Sequence, residues 1–195
     1  MATGSYSQVD PDLYPASASP GPSVSAVAWS AVTAGTVAAI ALTIALLTLG
    51  TAFGLASASP WPGVGAHPTT FTIGTGIWLI VTQWVSAAAG GYLAGRLRTR
   101  WHGLHTDEVF FRDTAHGLLT WATATVIMAI VAVGATALSS LATGPVDVAS
   151  SKEAVDEARK VAATFAAFTG LSLIVGAFIG SVAGAIGGRL RDRHP

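Results

Sequence analysis

Cysteine is absent from the sequence, and charged residues are scarce. Only 10% of the 195 residues are Asp, Glu, Lys or Arg, whereas soluble domains carry about 25%. The lack of cysteine excludes disulfides, thiolate nucleophiles and cysteine-ligated metal centres. Ten basic and ten acidic residues give a formal net charge of zero, so no basic excess is available to neutralise a nucleic-acid backbone. We therefore expect neither a soluble enzyme nor a nucleic-acid-binding protein.

Long apolar stretches account for most of the chain. A helix needs about 20 mainly apolar residues to cross the hydrocarbon core of a bilayer. Four uncharged stretches exceed this length, at about residues 27–56, 71–95, 117–141 and 161–188. They predict an all-α fold, a bundle of four transmembrane helices within residues 26–195. The pattern Ser150-x-x-Glu153 is typical of a helix N-terminus, so the fourth helix is predicted to begin outside the bilayer, about three turns before its apolar stretch. Residues 1–25 form a Ser- and Pro-rich tail that we expect to be disordered and cytoplasmic.

The basic residues between the stretches predict the orientation. The connection between the second and third stretches and the C-terminal tail together hold seven arginines, whereas the first connection holds no Lys or Arg. The third connection has three basic residues among four acidic ones. Because Lys and Arg are enriched in cytoplasmic loops, both termini are predicted to be cytoplasmic. The seven arginines are Arg96, Arg98, Arg100, Arg112, Arg189, Arg191 and Arg193.

Two segments of the chain resemble each other. Residues 91–100 (GYLAGRLRTR) and 184–193 (GAIGGRLRDR) are identical at six of ten positions, at an offset of 93. Two helix pairs in the same order predict two related helical hairpins in a parallel repeat. The alternative is convergence, since a small-residue helix end followed by arginines is a general feature of cytoplasmic boundaries.

Glycine is spaced regularly in the predicted helices. Helices associate in lipid largely through small residues that let their backbones approach closely. Gly176, Gly180, Gly184 and Gly188 lie four residues apart in the fourth stretch, and shorter versions of the pattern are Gly50 with Gly54 and Gly91 with Gly95. This glycine zipper predicts helix packing. The packing can be within the chain, or it can join the chain to a second copy or to another membrane protein.

Polar side chains at membrane depth are few. Thr82 and Gln83 are candidates for a polar path through the bundle, and their alternative role is hydrogen bonding between helices. No ionisable residue falls within the four stretches, which disfavours a proton- or ion-coupled transporter. A passive channel or small-solute carrier remains as the rival hypothesis.

The cytoplasmic connection holds the densest group of ionisable residues. His102, His105, Asp107 and His116 are the candidate ligands for a divalent metal ion, and the alternative is a solvated loop that faces lipid headgroups. No hydrolase, zinc-protease or phosphate-loop motif is present. We therefore predict that the protein is not an enzyme and needs no cofactor.

Several short segments carry a resemblance to a known family. They are residues 72–78 (TIGTGIW), 90–96 (GGYLAGR) and 112–117 (RDTAHG), together with Trp121. The chain resembles, over about residues 26–130, a family of small multi-pass bacterial membrane proteins that has no assigned reaction or ligand. The resemblance implies four helices and a bacterial inner-membrane location, and it assigns no functional residue. The predicted function is a structural, assembly or accessory role in the lipid bilayer.

Overall fold

The described residues form four long α-helices. The computed structural model describes residues 25–57, 67–100, 105–143 and 152–193, together with 59 and 65. The helices are α1 (Trp29–Ser57), α2 (Pro68–Leu97), α3 (Thr106–Thr143) and α4 (Lys152–Arg193). All four are long and apolar enough to cross a membrane. The predicted all-α class with a four-helix bundle is confirmed, and the predicted disordered tail lies, apart from Ser25, outside the described residues.

The third and fourth helices are longer than their apolar stretches. α3 begins at Thr106 rather than near residue 117, and Asp107 and Glu108 in its first turn favour a helix N-terminus. α4 begins at Lys152, ahead of its apolar stretch as the pattern around Glu153 predicts, and continues to Arg193. At about 1.5 Å per residue, its 42 residues span about 63 Å, roughly twice the thickness of bilayer hydrocarbon. The charged ends of α4 therefore extend beyond its apolar stretch.

The contacts between helices define the order of the bundle. α2 and α3 each contact all three other helices, whereas α1 and α4 do not touch within the described residues. α2 and α4 run in the same direction, because Gly91 faces Gly180 and Gly95 faces Gly184. α1 and α4 thus occupy opposite edges, with α2 and α3 between them.

Close packing is confined to one half of the bundle. Its buried residues fall within 31–39, 82–98, 113–120 and 172–191, which we call the packed half. By contrast, every side chain described in residues 129–141 of α3 and 152–171 of α4 is exposed. We call these two segments the exposed arms.

Candidate functional site

Glycine brings α2 and α4 into backbone contact. A Cβ on Gly91 would overlap the carbonyl oxygen of Gly180, and a Cβ on Gly95 would overlap that of Gly184. Both obstacles are backbone atoms of the facing helix, so neither can rotate aside. The two helices can approach this closely only because residues 91 and 95 have no side chain.

Glycine also sets the distance between α3 and α4. A Cβ on Gly184 would lie 2.6 Å from the carbonyl oxygen of Asp113, and one on Gly117 would overlap the carbonyl oxygen of Gly180. A Cβ on Gly188 would meet the carboxylate of Asp113. The glycines predicted on α4 therefore face α2 and α3 within the same chain.

The predicted glycines differ in how much space they have. Gly50 lies against the indole of Trp78 and Gly176 against the amide of Gln83, so a Cβ there would displace a side chain. A Cβ on Gly180 would come no closer than 3.1 Å to Trp121, and one on Gly54 would make only ordinary contact with Phe71 at 3.7 Å. Four-residue spacing alone therefore does not identify the positions at which only glycine fits.

Several close contacts fall on glycines that the spacing did not single out. A Cβ on Gly90 would lie 2.8 Å from the carbonyl oxygen of Gly35, which faces it on α1. Gly117 and Gly187 are equally confined, the latter by the carbonyl oxygen of Tyr92. These residues do not belong to the four-residue glycine series. Only the contacts with the facing helix show why a side chain does not fit at these positions.

Gln83 joins three helices through hydrogen bonds. With its amide oriented so that donors meet acceptors, its NH₂ group donates to the hydroxyl of Ser172 (3.2 Å) and to the carbonyl oxygen of Ser172 (3.0 Å). Its oxygen accepts from the indole N–H of Trp121 at 3.3 Å. Thr82, the other candidate for a polar path, is 2% exposed, and its hydroxyl has no hydrogen-bond partner among the described residues.

Ionisable side chains are buried at the end of the packed half. The guanidinium of Arg98 donates to the carboxylate of Asp113, and the side chains are 0% and 3% exposed. Arg191 lies 3.7 Å from the same carboxylate and donates to the carbonyl oxygen of Gly95 at 3.1 Å. We call Arg98, Asp113, His116 and Arg191 the ionic cluster. It ties α2, α3 and α4 together where α2 and α4 end.

His116 is held by the backbone at both ring nitrogens. Its Nε2 accepts from the N–H of Ala28 at 2.8 Å, and its Nδ1 lies 2.5 Å from the carbonyl oxygen of Arg112. This geometry fits a neutral imidazole that carries its proton on Nδ1, because Nε2 must supply a lone pair to Ala28. His116 therefore links α3 to the start of α1.

The candidate metal ligands do not come together in the described structure. His105 and Asp107 are exposed, whereas His116 is 1% exposed and both of its nitrogens are engaged. The described ranges contain no group of three His, Asp or Glu residues that could hold a metal ion. His102 lies outside the described residues. A metal site at His102, His105 and Asp107 stays a prediction, without His116 as a free ligand.

Two of the cavities among the described helices bear on a polar path. One of about 560 Å³ separates the far ends of α1 and α2, next to Phe53, Phe71 and Trp78. The other, of about 270 Å³, is lined by all four helices at the level of Gln83. Neither is a polar passage through the packed half, where Thr36 contacts the carbonyl oxygen of Thr120 and Gly35 contacts Gly90.

The ionic cluster was missed by sequence reasoning. Arg98 and Arg191 were used only to predict orientation, although they are buried, at 2% and 9% exposed. Two signals were available: the two arginines are separated by the repeat offset of 93, and Asp113 and His116 share a helical face.

Comparisons of the chain with protein-family models, with curated proteins and with solved structures found no match.

Proposed function

We propose that this is a multi-pass protein of a bacterial inner membrane with a structural, assembly or accessory role. The observation that carries the proposal is the backbone contact between glycines of α2, α3 and α4, which the ionic cluster reinforces. Such contacts make the packed half rigid, and a rigid half is suited to holding two arms in fixed directions. The buried polar groups of this half bond neighbouring helices instead of lining an open lumen.

The proposed orientation of the protein in the membrane follows from the distribution of its arginines. The packed half contains the arginine-rich ends of α2 and α4 and the start of α3. Because Lys and Arg are enriched on the cytoplasmic side, we place the packed half in the cytoplasmic leaflet. Both termini then face the cytoplasm. The exposed arms would then lie in the opposite leaflet, with the charged first turns of α4 beyond it.

The proposal includes a duplicated hairpin. Gly91 and Gly95 of α2 correspond to Gly184 and Gly188 of α4, and Arg98 corresponds to Arg191. Both arginines approach one carboxylate, that of Asp113. Two corresponding arginines thus reach the same carboxylate at the ends of two parallel helices, which favours duplication over convergence.

The two hairpins differ at their far ends. In the first, the indole N–H of Trp78 donates to the carbonyl oxygen of Leu46 at 3.0 Å, and its ring packs edge-to-face on Phe53. In the second, the arms are exposed along the lengths described. Because the zipper glycines are occupied within the chain, we propose that the arms contact a second copy or another membrane protein.

Photo-crosslinking in cells that express the protein tests whether the exposed arms contact a partner. Benzoylphenylalanine at Phe165, on the α4 arm, should give a discrete protein adduct, whereas at Ile44, on α1, it should react mainly with lipid. The two side chains are similarly exposed, at 60% and 54%. No adduct at Phe165, or equal adducts at both positions, would contradict the proposal.

Solute flux tests the rival hypothesis of a passive channel or small-solute carrier. Purified protein in liposomes should release trapped glycerol, urea or potassium no faster than empty liposomes do. Accelerated release that a Gln83→Leu variant abolishes would favour the channel, because Gln83 is the polar group at the centre of the bundle.

A further inference from the structure

The cavity of about 270 Å³ lies where the packed half gives way to the exposed arms. Ala39 and Thr43 of α1, Gln83 and Ser86 of α2, and Leu173 of α4 form part of its wall. α3 contributes most of the rest, including Trp121, Ala124, Met128 and Ala129. The cavity therefore belongs to the bundle as a whole and not to a single helix pair.

Most polar atoms of the wall are turned toward the protein. An exception is the hydroxyl of Ser86, which is buried and has no hydrogen-bond partner among the described residues. The hydroxyls of Thr43 and Thr120 donate to the carbonyl oxygens of Ala39 and His116, both at 2.8 Å. The amide of Gln83 is engaged by Ser172 and Trp121. The surface left for a guest consists mainly of alanine, methionine and leucine carbon and threonine methyl groups. Ordered water needs two to four polar partners, so this wall favours an apolar guest.

The cavity ends where α3 leaves its neighbours. Contacts between α1 and α3 include those of Ala28 with His116 and of Thr36 with Thr120, on the side of the ionic cluster. Beyond Met128, every described side chain of α3 is exposed. The cavity is thus continuous with the helix surface that faces bilayer hydrocarbon. Apolar cavities of about 150 Å³ already bind benzene, so this one has room for a longer hydrocarbon segment.

We propose that an acyl chain of a bilayer phospholipid enters this cavity between α1 and α3 and fills it. The occupant comes from the surrounding membrane, because hydrocarbon chains are the medium at this depth and the wall offers them carbon over most of its surface. A bound chain completes the packing of the four helices beside Gln83. The proposal is independent of the exposed arms and of the structural role proposed above.

Native mass spectrometry of the full-length chain tests the proposal. Delipidated protein in detergent is titrated with a phosphatidylcholine, a zwitterionic lipid that has no net charge to attract the arginines. One lipid should remain bound to the wild-type protein at low lipid ratios. Ala124→Leu, which fills the cavity, should weaken this binding at least tenfold. Ala132→Leu, the same substitution on the exposed arm of the same helix, should leave it unchanged.

The outcomes separate cleanly. Equal binding to the three proteins would overturn the proposal, as would the absence of any retained lipid on the wild type. If circular dichroism shows that Ala124→Leu does not fold, Ala129→Leu takes its place, because residue 129 lies at the exposed edge of the cavity. Failure of lipid binding would leave the crosslinking result at Phe165 unaffected.

Discussion

Asp113 is the buried acidic residue of the ionic cluster, and two arginines approach its carboxylate. Burying a charge is costly unless it is paired, and the side chain of Arg98 is completely buried. Arg191 compensates further by donating to carbonyl oxygens at the end of α2. Asp113 thus pairs with the buried charge of Arg98, whereas Arg191 bonds the carboxylate of Asp192 at 2.8 Å and also satisfies a helix terminus.

Replacing Asp113 should destabilise the protein strongly. Asp113→Asn leaves the guanidinium of Arg98 buried without its counter-ion, at a cost of about 3 kcal/mol. Glu108→Gln breaks the exposed pair between Glu108 and Arg112 on the same helix and should cost less than about 0.5 kcal/mol. Thermal unfolding of the purified variants in one detergent compares the two. Equal stability of the two variants would show that the cluster contributes little.

Metal binding is a second prediction at this scale. If His102, His105 and Asp107 hold a metal, titration calorimetry with zinc, nickel or manganese should give heat that a His102→Ala/His105→Ala variant loses. A His116→Gln variant should retain the heat, because both nitrogens of His116 are already engaged by backbone groups. Equal heats from the wild type and the double variant would dismiss the site.

At the scale of the element, the glycines of α4 are not equivalent. A Cβ on Gly184 would press on the backbone of Asp113 and Gly117, whereas a Cβ on Gly170 would meet nothing within 4 Å. The first position is constrained by a neighbouring helix. At the second position no neighbour blocks a side chain, and the only effect of glycine there is its poor helix propensity.

The same substitution should therefore have opposite signs at two positions of one helix. Gly184→Ala should lower stability by about 1–3 kcal/mol through overpacking. Gly170→Ala should raise it by up to about 1 kcal/mol, because alanine is the better helix former. Unfolding of both variants in the same detergent measures the difference. Destabilisation by Gly170→Ala would mean that its open surface is occupied in the assembled protein.

The helices could be predicted from sequence more fully than their contacts. Long uncharged stretches are a local signal, and they predicted four helices, although the extra turns of α3 and α4 are polar and were only partly recognised. The four-residue spacing placed Gly184 on a packing face. It gave no means of knowing that Gly35 meets Gly90, because that contact depends on how two helices are set against each other. The burial of Arg98 was missed for the same reason.

At the scale of the molecule, the two hairpins are packed unequally. The first keeps a contact toward its far end, where Trp78 lies against Gly50, whereas the second separates into the exposed arms. If the hairpins arose by duplication, they have diverged most in these arms. Because the arms carry the proposed contact with a partner, their orientation across the membrane is the property to measure next.

The natural absence of cysteine makes this orientation directly testable. Asp107 and Glu153 are exposed and lie before and after the membrane-spanning part of α3, so they must face opposite sides of the bilayer if α3 crosses it. The arginine distribution predicts that a membrane-impermeant maleimide labels Glu153→Cys on intact spheroplasts but labels Asp107→Cys only after lysis. Labelling of both variants after denaturation is the control for reactivity. The reverse pattern would mean that the protein has the opposite orientation in the membrane. Labelling of both variants on intact spheroplasts would mean that α3 does not cross it.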